Sequence, residues 1–436
     1  ADDQPRVDNL LEGNVQVRQA FGERSFVYAD ISAFGRIAFD YRGVDESGNE
    51  IRLPDRDLDG SRPYFSLSEL YLSHDFLPAL NLTVGRKRVV WGSGMAYNPT
   101  DLLNPLKDPT DPALQRAGAW LAQLEVPLEK MTFSFLASPR ITAQASGIPY
   151  RFLVWPEWDR RDDQAHYQLA ARMYALVADA DVNVMLFYGN GYRDEFKAKP
   201  RAGLSFSRYF FEVHELHVEA LLQTGSPRAY VNGPCVASRE AIIQCGLEKQ
   251  PFTRMDLLES SKFLPRVLVG GRTHFSDESI LSIEYLYQAD GFTRAQAQDT
   301  VNALSQLRSL STLLGSQGGA AGVPLFGADE NGIPQRLRFE PMGQHYLFAS
   351  WQKPNLRDDF TVSAMVLASL QDLSGLAVPS VGWRATEWMT LTASAFVPFP
   401  GPSSLAAVDP DTGEAVSEYS LVPMAWRGMF EIKVFY

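Results

Sequence analysis

Apolar and polar residues alternate singly along much of the chain. In the last run, Trp426, Phe430, Ile432, Val434 and Tyr436 share one side, and Arg427, Met429, Glu431, Lys433 and Phe435 take the other. Leu216, Val218, Ala220 and Leu222 alternate with Glu215, His217, Glu219 and Gln223, and Leu281, Ile283, Tyr285 and Tyr287 alternate with Ser282, Glu284 and Gln288. The same holds from Tyr167 to Val177, with Gln168 and Arg172 on the polar side, from Phe360 to Ala368, and from Met389 to Val397. A period of two is the mark of a β-strand, whose successive side chains point to opposite faces. These runs are about nine to twelve residues long, the length a tilted strand needs to cross hydrocarbon, whereas strands of soluble proteins average about five or six. Glu, His, Arg and Gln lie deep within the polar rows, where a dry core would demand a partner for each and water would not. The pattern therefore predicts strands standing between two media.

Sixteen strands are expected, near 26–41, 64–75, 82–91, 119–126, 131–137, 165–177, 182–189, 200–209, 214–224, 265–275, 280–289, 343–352, 360–370, 376–385, 389–398 and 421–436. Their connections alternate between short and long, with one brief exception near 371–375. Short turns on one side and long loops on the other are the habit of outer-membrane barrels. The expected fold is all-β: a transmembrane antiparallel up-and-down β-barrel of about sixteen strands, both ends periplasmic, with a helix in a long extracellular loop. Residues 1–25 are expected to be a periplasmic lead-in or an extension of the first strand, and residues 26–436 the barrel. One strand resists. Arg86, Lys87 and Arg88 are consecutive, so a regular strand must turn one charge outward unless a bulge or an interfacial position relieves it.

Composition narrows the choice. The chain has 436 residues, 45% of them hydrophobic, yet no apolar run approaches the roughly 18 residues of a spanning helix. A membrane protein of this composition must span with strands, and bare sheet edges are intolerable in lipid, so the sheet must close. The formal charge of -12, without a basic stripe, argues against a nucleic-acid partner. The opening Ala1-Asp2-Asp3-Gln4 lacks an initiator Met; it fits the end left by signal-peptide removal, and a cloning boundary would look the same.

Two stretches carry a family resemblance. Met429-Phe430-Glu431-Ile432-Lys433-Val434-Phe435-Tyr436 resembles the C-terminal aromatic signal that the barrel-assembly machinery reads in bacterial outer-membrane proteins. Gly85-Arg86-Lys87-Arg88-Val89-Val90-Trp91-Gly92, followed by Asn98-Pro99-Thr100-Asp101-Leu102-Leu103-Asn104-Pro105, is similar to a segment of porin-like barrels related to the alginate-export type. The resemblance implies a channel and carries over no substrate residue.

Candidate chemistry is sparse. Cys235 and Cys245 lie close in a loop-like stretch and should pair in an oxidising compartment. Asp55, Asp57 and Asp59 with Gly60 have the spacing of a calcium loop, which makes Ca²⁺ a candidate ligand; the bidentate Glu of an EF-hand is missing, and a solvated acidic turn is the plainer reading. His214-Glu215-Leu216-His217 is not a zinc motif, since residues three apart on a strand face opposite ways. No nucleophile elbow, P-loop or dinucleotide fingerprint occurs, so no enzyme is expected and no cofactor is required. Thr293 to Leu314 reads as a helix capped by Thr293 and packed on its own loops. Strand parity puts Arg172, Glu215, His217, Glu219, Glu284, Arg427, Glu431 and Lys433 toward a pore. Arg140, Arg151, Glu157, Asp159, Arg160 and Arg161 are candidates for a constriction loop, and would equally suit an external loop that pairs its own charges. The expected function is diffusion of small polar solutes through a porin-like channel in a lipopolysaccharide-bearing outer membrane. The alternative is a barrel scaffold that houses or anchors a protein partner at its loops or lumen. On this register Val218→Arg or Val366→Arg should cost about 2–4 kcal/mol, and Glu219→Arg should be tolerated.

Overall fold

The structure, a computed structural model, describes residues 11–35, 42–44, 50–52, 64–104, 118–139, 167–189, 199–226, 260–302, 342–409, 415–421 and 427–434, with parts of 228–257 and residue 413. Among them, seventeen strands form one sheet whose neighbouring strands are antiparallel. In chain order they are β1 (Leu11–Phe21), β2 (Ser25–Gly35), β3 (Tyr64–Leu77), β4 (Leu80–Lys87), β5 (Ala119–Pro127), β6 (Met131–Pro139), β7 (Tyr167–Val177) and β8 (Ala180–Gly189). They continue as β9 (Lys199–Phe210), β10 (His214–Leu222), β11 (Arg266–His274), β12 (Ile280–Gln288), β13 (His345–Leu356), β14 (Phe360–Ser369), β15 (Gly375–Thr386), β16 (Met389–Phe399) and β17 (Arg427–Val434). Consecutive strands pair throughout, an up-and-down meander. The short connections are tight: Ala178 and Asp179, both at positive φ, alone join β7 to β8, in the turn geometry whose twist matches that of a strand pair.

One strand more than expected is present among the described residues. Residues 11–21, assigned from sequence to a lead-in or an extension, pair with β2 from Leu11↔Gly35 to Phe21↔Ser25. Asp30 on β2 draws this strand in: Asn14 Nδ2 and Gln16 Nε2 donate to its carboxylate at 2.6 and 3.2 Å. With an odd count, β1 and β17 run the same way. Leu11 lies at the long-loop end and Val434 at the short-turn end, which corrects the expectation that the sheet begins and ends on the turn side.

The run of three cations also resolves. Strand β4 stops at Lys87, so Arg88 has left the ladder; its backbone N–H donates to Glu69 Oε1 at 2.7 Å. Lys87 reaches Gln123 Oε1 at 3.3 Å on the concave side. Arg86 is the one turned outward, paired in register with Leu70 and Trp120, and its Nε donates to the Gly118 carbonyl at 2.9 Å, at the loop end of the sheet.

The sheet is curled. Val89 and Trp91 join a cluster with Leu121, Leu136, Ala170, Met185 and Phe187 of β5 to β8. Ala96 and Tyr97 join Leu268, Leu286, Tyr346, Phe348 and Leu367 of β11 to β14. Arg88 N bonds to Glu69 on β3, and Ser93 N, five residues on, bonds to Glu219 on β10. Seven interstrand steps of about 4.8 Å would hold β3 and β10 roughly 34 Å apart in a flat sheet. Five residues reach at most about 17 Å, and glutamate side chains standing roughly perpendicular to the sheet add little span along it, so the strands curl around the segment.

The two faces differ in kind. Val84, Phe135, Leu204, Val269, Ile283, Val381 and Phe430 stand exposed on the convex face. Glu219, Glu284, His217, Gln123, Ser134 and Asn183 are buried on the concave one. Large aromatic groups are exposed near the turns: Phe21, Phe76, Phe211, Phe275, Trp383 and Trp388. A soluble protein would hide the first set and show the second. Among the described residues no helix is long and apolar enough to cross a membrane.

Candidate functional site

Residues 88–104, which follow β4, do not stay at the rim. They turn into the concave side and are held there from both flanks. Asn104 closes the segment on itself: its Nδ2 donates to the Val89 carbonyl at 2.5 Å and its Oδ1 accepts from Val89 N at 3.1 Å. Asp101 N donates to the Asn98 carbonyl at 3.1 Å, a turn that brings Thr100 back toward the wall.

Two carboxylates clamp the backbone between these ends. Glu219 on β10, fully buried, accepts from the N–H of Ser93, from Gly94 N at 2.6 Å and from Thr100 Oγ1 at 2.8 Å. Glu284 on β12, also fully buried, accepts from Met95 N at 2.5 Å and Ala96 N at 2.9 Å. Charge-assisted bonds of this kind are roughly twice as strong as neutral ones, and a buried carboxylate left without donors would carry a large desolvation cost. Two glycines leave the clamp its space. A Cβ on Gly92 would stand 2.5 Å from Glu219 Oε1. Gly270 lies in register between His217 and Glu284, where a Cβ would collide with His217 Nε2; its absence lets His217 reach across the strand to Glu284 Oε1 at 3.0 Å.

A second segment meets the first. The one-turn helix α1 (Glu418–Leu421) packs against β15 and β16 on the concave side. Tyr346 Oη donates to Glu418 Oε1 at 2.5 Å and Met342 N donates to the same oxygen at 2.9 Å. Glu418 N donates to Asp372 Oδ2 at 2.6 Å. Burial, with Asp372 nearby adding to it, pushes the Glu418 carboxyl up to about 7, against the hydrogen bonds from Tyr346 and Met342. Tyr419 joins an apolar cluster with Leu376, Val378, Phe396 and Met429, while the Tyr97 ring of the first segment packs 5.9 Å from that of Tyr346. Together the two segments bridge the interior on its loop side.

Nearer the loops lies a buried ionic knot. Asp290 accepts from Arg266 Nε at 2.9 Å, from a second Arg266 nitrogen at 2.6 Å and from Ser226 Oγ at 2.5 Å. Burial would raise the Asp290 carboxyl, but Arg266 and Arg228 beside it outweigh that and hold it well below the usual range. Arg228 donates to the Met342 carbonyl at 3.1 Å, tying the 223–265 connection to the 289–344 connection. Cys235 and Cys245 form a disulfide, as expected, with Cα atoms 5.7 Å apart. Residues 294–302 are helical, and Thr293 and Gln296 make a capping box, in which Thr293 N donates to Gln296 Oε1 at 2.8 Å. The helix docks on a neighbouring connection, Gln298 bonding both ways with the Val408 backbone at 2.6 and 2.8 Å. Residues 303–314 of the expected helix lie outside the described residues.

The expected pore-facing residues divide. Glu219, Glu284 and His217 face inward but are buried, and the two carboxylates grip the in-folded segment. The expectation that Glu219→Arg is tolerated is therefore corrected: a cation enclosed by N–H donors would repel the segment that the carboxylate now holds. Arg172 donates to Asn183 Oδ1 at 2.7 Å and lies 6.0 Å from the Trp91 ring. Glu215 faces inward beside Arg272 at 3.8 Å. Glu431 and Lys433 pair at 3.2 Å near the turn end of β17. The side chain of Arg427 lies outside the described residues, as do Arg140, Arg151, Glu157, Asp159, Arg160 and Arg161, and the acidic loop of Asp55, Asp57 and Asp59. Strand parity does not reveal the inserted segment. Its signal in the sequence is a run of small residues, Gly92, Ser93 and Gly94, with an Asn-Pro-Thr-Asp turn, flanked by Val89, Trp91, Leu102 and Leu103.

No family model matches the chain, and no curated protein matches it by sequence. Solved structures do resemble it. OccK8 (OprE) of Pseudomonas aeruginosa is 9% identical, with 92% of this chain and 91% of that one covered and a TM-score of 0.44. OccAB3 of Acinetobacter baumannii is 8% identical over 92% and 89%, with a TM-score of 0.46. Wzi of Escherichia coli, an outer membrane protein involved in group 1 capsule assembly and a carbohydrate-binding β-barrel, is 10% identical over 91% and 80%, with a TM-score of 0.40.

Proposed function

We propose that the chain closes into a β-barrel of the bacterial outer membrane and conducts small polar solutes through a lumen narrowed by residues 88–104. The observation that carries this reading is the inversion of the two faces: exposed Val, Leu, Ile and Phe outside, buried carboxylates and amides inside. Exposed aromatic groups near the turns are where a membrane interface would lie. Short turns then face the periplasm and long connections the exterior. The turn-side half of the interior carries hydroxyl and charged groups, including Ser363, Ser380, Arg172, Glu215 and Arg272, which suit hydrated solutes rather than apolar ones. The clamp favours a selective conduit over a wide pore.

A second reading, a barrel that anchors a partner and conducts little, draws on the same clamp, since both in-folded segments lie across the interior. Planar-bilayer recording of the purified chain separates the two. Stepwise ohmic conductance supports the channel; a folded, inserted barrel that stays silent at all voltages overturns it in favour of the scaffold.

A further inference from the structure

On the convex face near the loop end, the sheet carries an apolar trough of about 530 Å³. Its origin is legible in the register. Val84, Ala122, Ala137 and Leu169 stand side by side on β4 to β7, two small residues between two larger ones. The row toward the turns holds Leu82, Leu124 and Phe135, and the row toward the loops holds Trp120 and, on β6 and β7, Pro139 and Tyr167. Larger side chains therefore wall off a groove floored by alanine methyls. Such a groove matches an extended acyl chain, which is held there by close van der Waals packing, since lipid tails are as apolar as the wall they leave or join.

The rim carries a charge. Arg86 is in register with Trp120, two residues from Val84 on the same strand, and its Nε lies 2.9 Å from the Gly118 carbonyl at the loop end. A cation on a lipid-facing row is costly unless it sits at the headgroup level. A guanidinium there, with its Nε on the Gly118 carbonyl, brings a fixed positive charge suited to phosphate. We infer that this groove binds a phosphorylated, multiply acylated saccharide lipid of the outer leaflet, with one acyl chain over Ala122 and Ala137 and a phosphate at Arg86. The inference rests on the barrel reading, which fixes the loop end as the outer-leaflet side.

The test is native mass spectrometry of the full chain released from detergent, titrated with lipid A, with phosphatidylglycerol and with phosphatidylcholine. Heat-modifiable migration on denaturing gels reports folding separately. The expected result is one lipid A retained per folded chain. Ala137→Trp, which fills the trough, should lower retention of lipid A by about tenfold, or about 1.4 kcal/mol. Arg86→Gln should lower retention of lipid A, which carries net negative charge, more than that of zwitterionic phosphatidylcholine. Equal retention by wild type and both variants, all folded, overturns the proposal. So does a preference for phosphatidylglycerol, which would place an ordinary phospholipid there, or a dimer mass that Ala137→Trp abolishes, which would place a second copy of the chain there. A chain that runs as a water-soluble monomer without a detergent belt would instead sink the barrel reading itself.

Discussion

At the residue scale, the decisive groups are two buried carboxylates whose partners are backbone N–H groups of one segment. Replacing such a carboxylate by an amide weakens its bonds and turns one acceptor oxygen into a donor, and each donor left unpaired costs about 1–3 kcal/mol. Glu219→Gln should therefore loosen residues 92–100 without unfolding the sheet. Gly92→Ala should do the same, because its Cβ has no room beside Glu219 Oε1 while the clamp is closed. Both are expected to raise single-channel conductance, and recording each beside wild type checks it; unchanged conductance would mean that the segment does not limit flow. Strand parity makes these inward residues legible, but not their partners. Parity tells which side a residue faces and says nothing of what chain from elsewhere occupies that side. The contrast between faces also holds at this scale. Val366→Arg, facing outward, should cost about 2–4 kcal/mol in a refolding titration, and Ser363→Arg, inward and toward the turns, should cost little.

At the element scale, the strands are legible because their two rows differ in kind, one apolar and exposed, the other largely polar and buried, and the exceptions have local causes. Strand β1 is hard to see in the sequence because its inward row of Asn14, Gln16 and Arg18 leaves few apolar positions; what fixes it is Asp30 on the next strand. The helix at 294–302 is legible from its cap, whereas its docking on Val408 is not, since that contact joins residues far apart in sequence. The docking of α1 should respond to pH. Glu418 titrates near 7 in the folded chain against an ordinary value of 4.5, so the docked state holds the proton more tightly. The stabilisation is thus full below about pH 4.5 and is lost as pH rises through about 7. Hydrogen exchange of residues 415–421, corrected for its intrinsic pH dependence, should quicken across that window in wild type and stay level in Glu418→Gln. The Asp290 knot has the opposite sign, since its carboxyl is lowered: it should hold throughout neutral pH and weaken only in strong acid.

At the scale of the whole molecule, seventeen strands wrap one segment so that each depends on the other for its shape. The carboxylates on β10 and β12 need the segment's N–H groups, and the segment needs the curl that brings β3 and β10 within its reach. Outside, the same curl leaves a broad apolar surface, which the proposed barrel turns toward hydrocarbon. The most direct test of that claim is a nitroxide scan along β12 in liposomes. Both native cysteines are locked in a disulfide, so introduced ones can be labelled singly. Oxygen accessibility should alternate with a period of two, high at positions 281, 283, 285 and 287 and low at 282, 286 and 288. A profile with no alternation, or one in which Ile283 and Tyr285 are shielded from oxygen, would contradict a lipid-facing barrel.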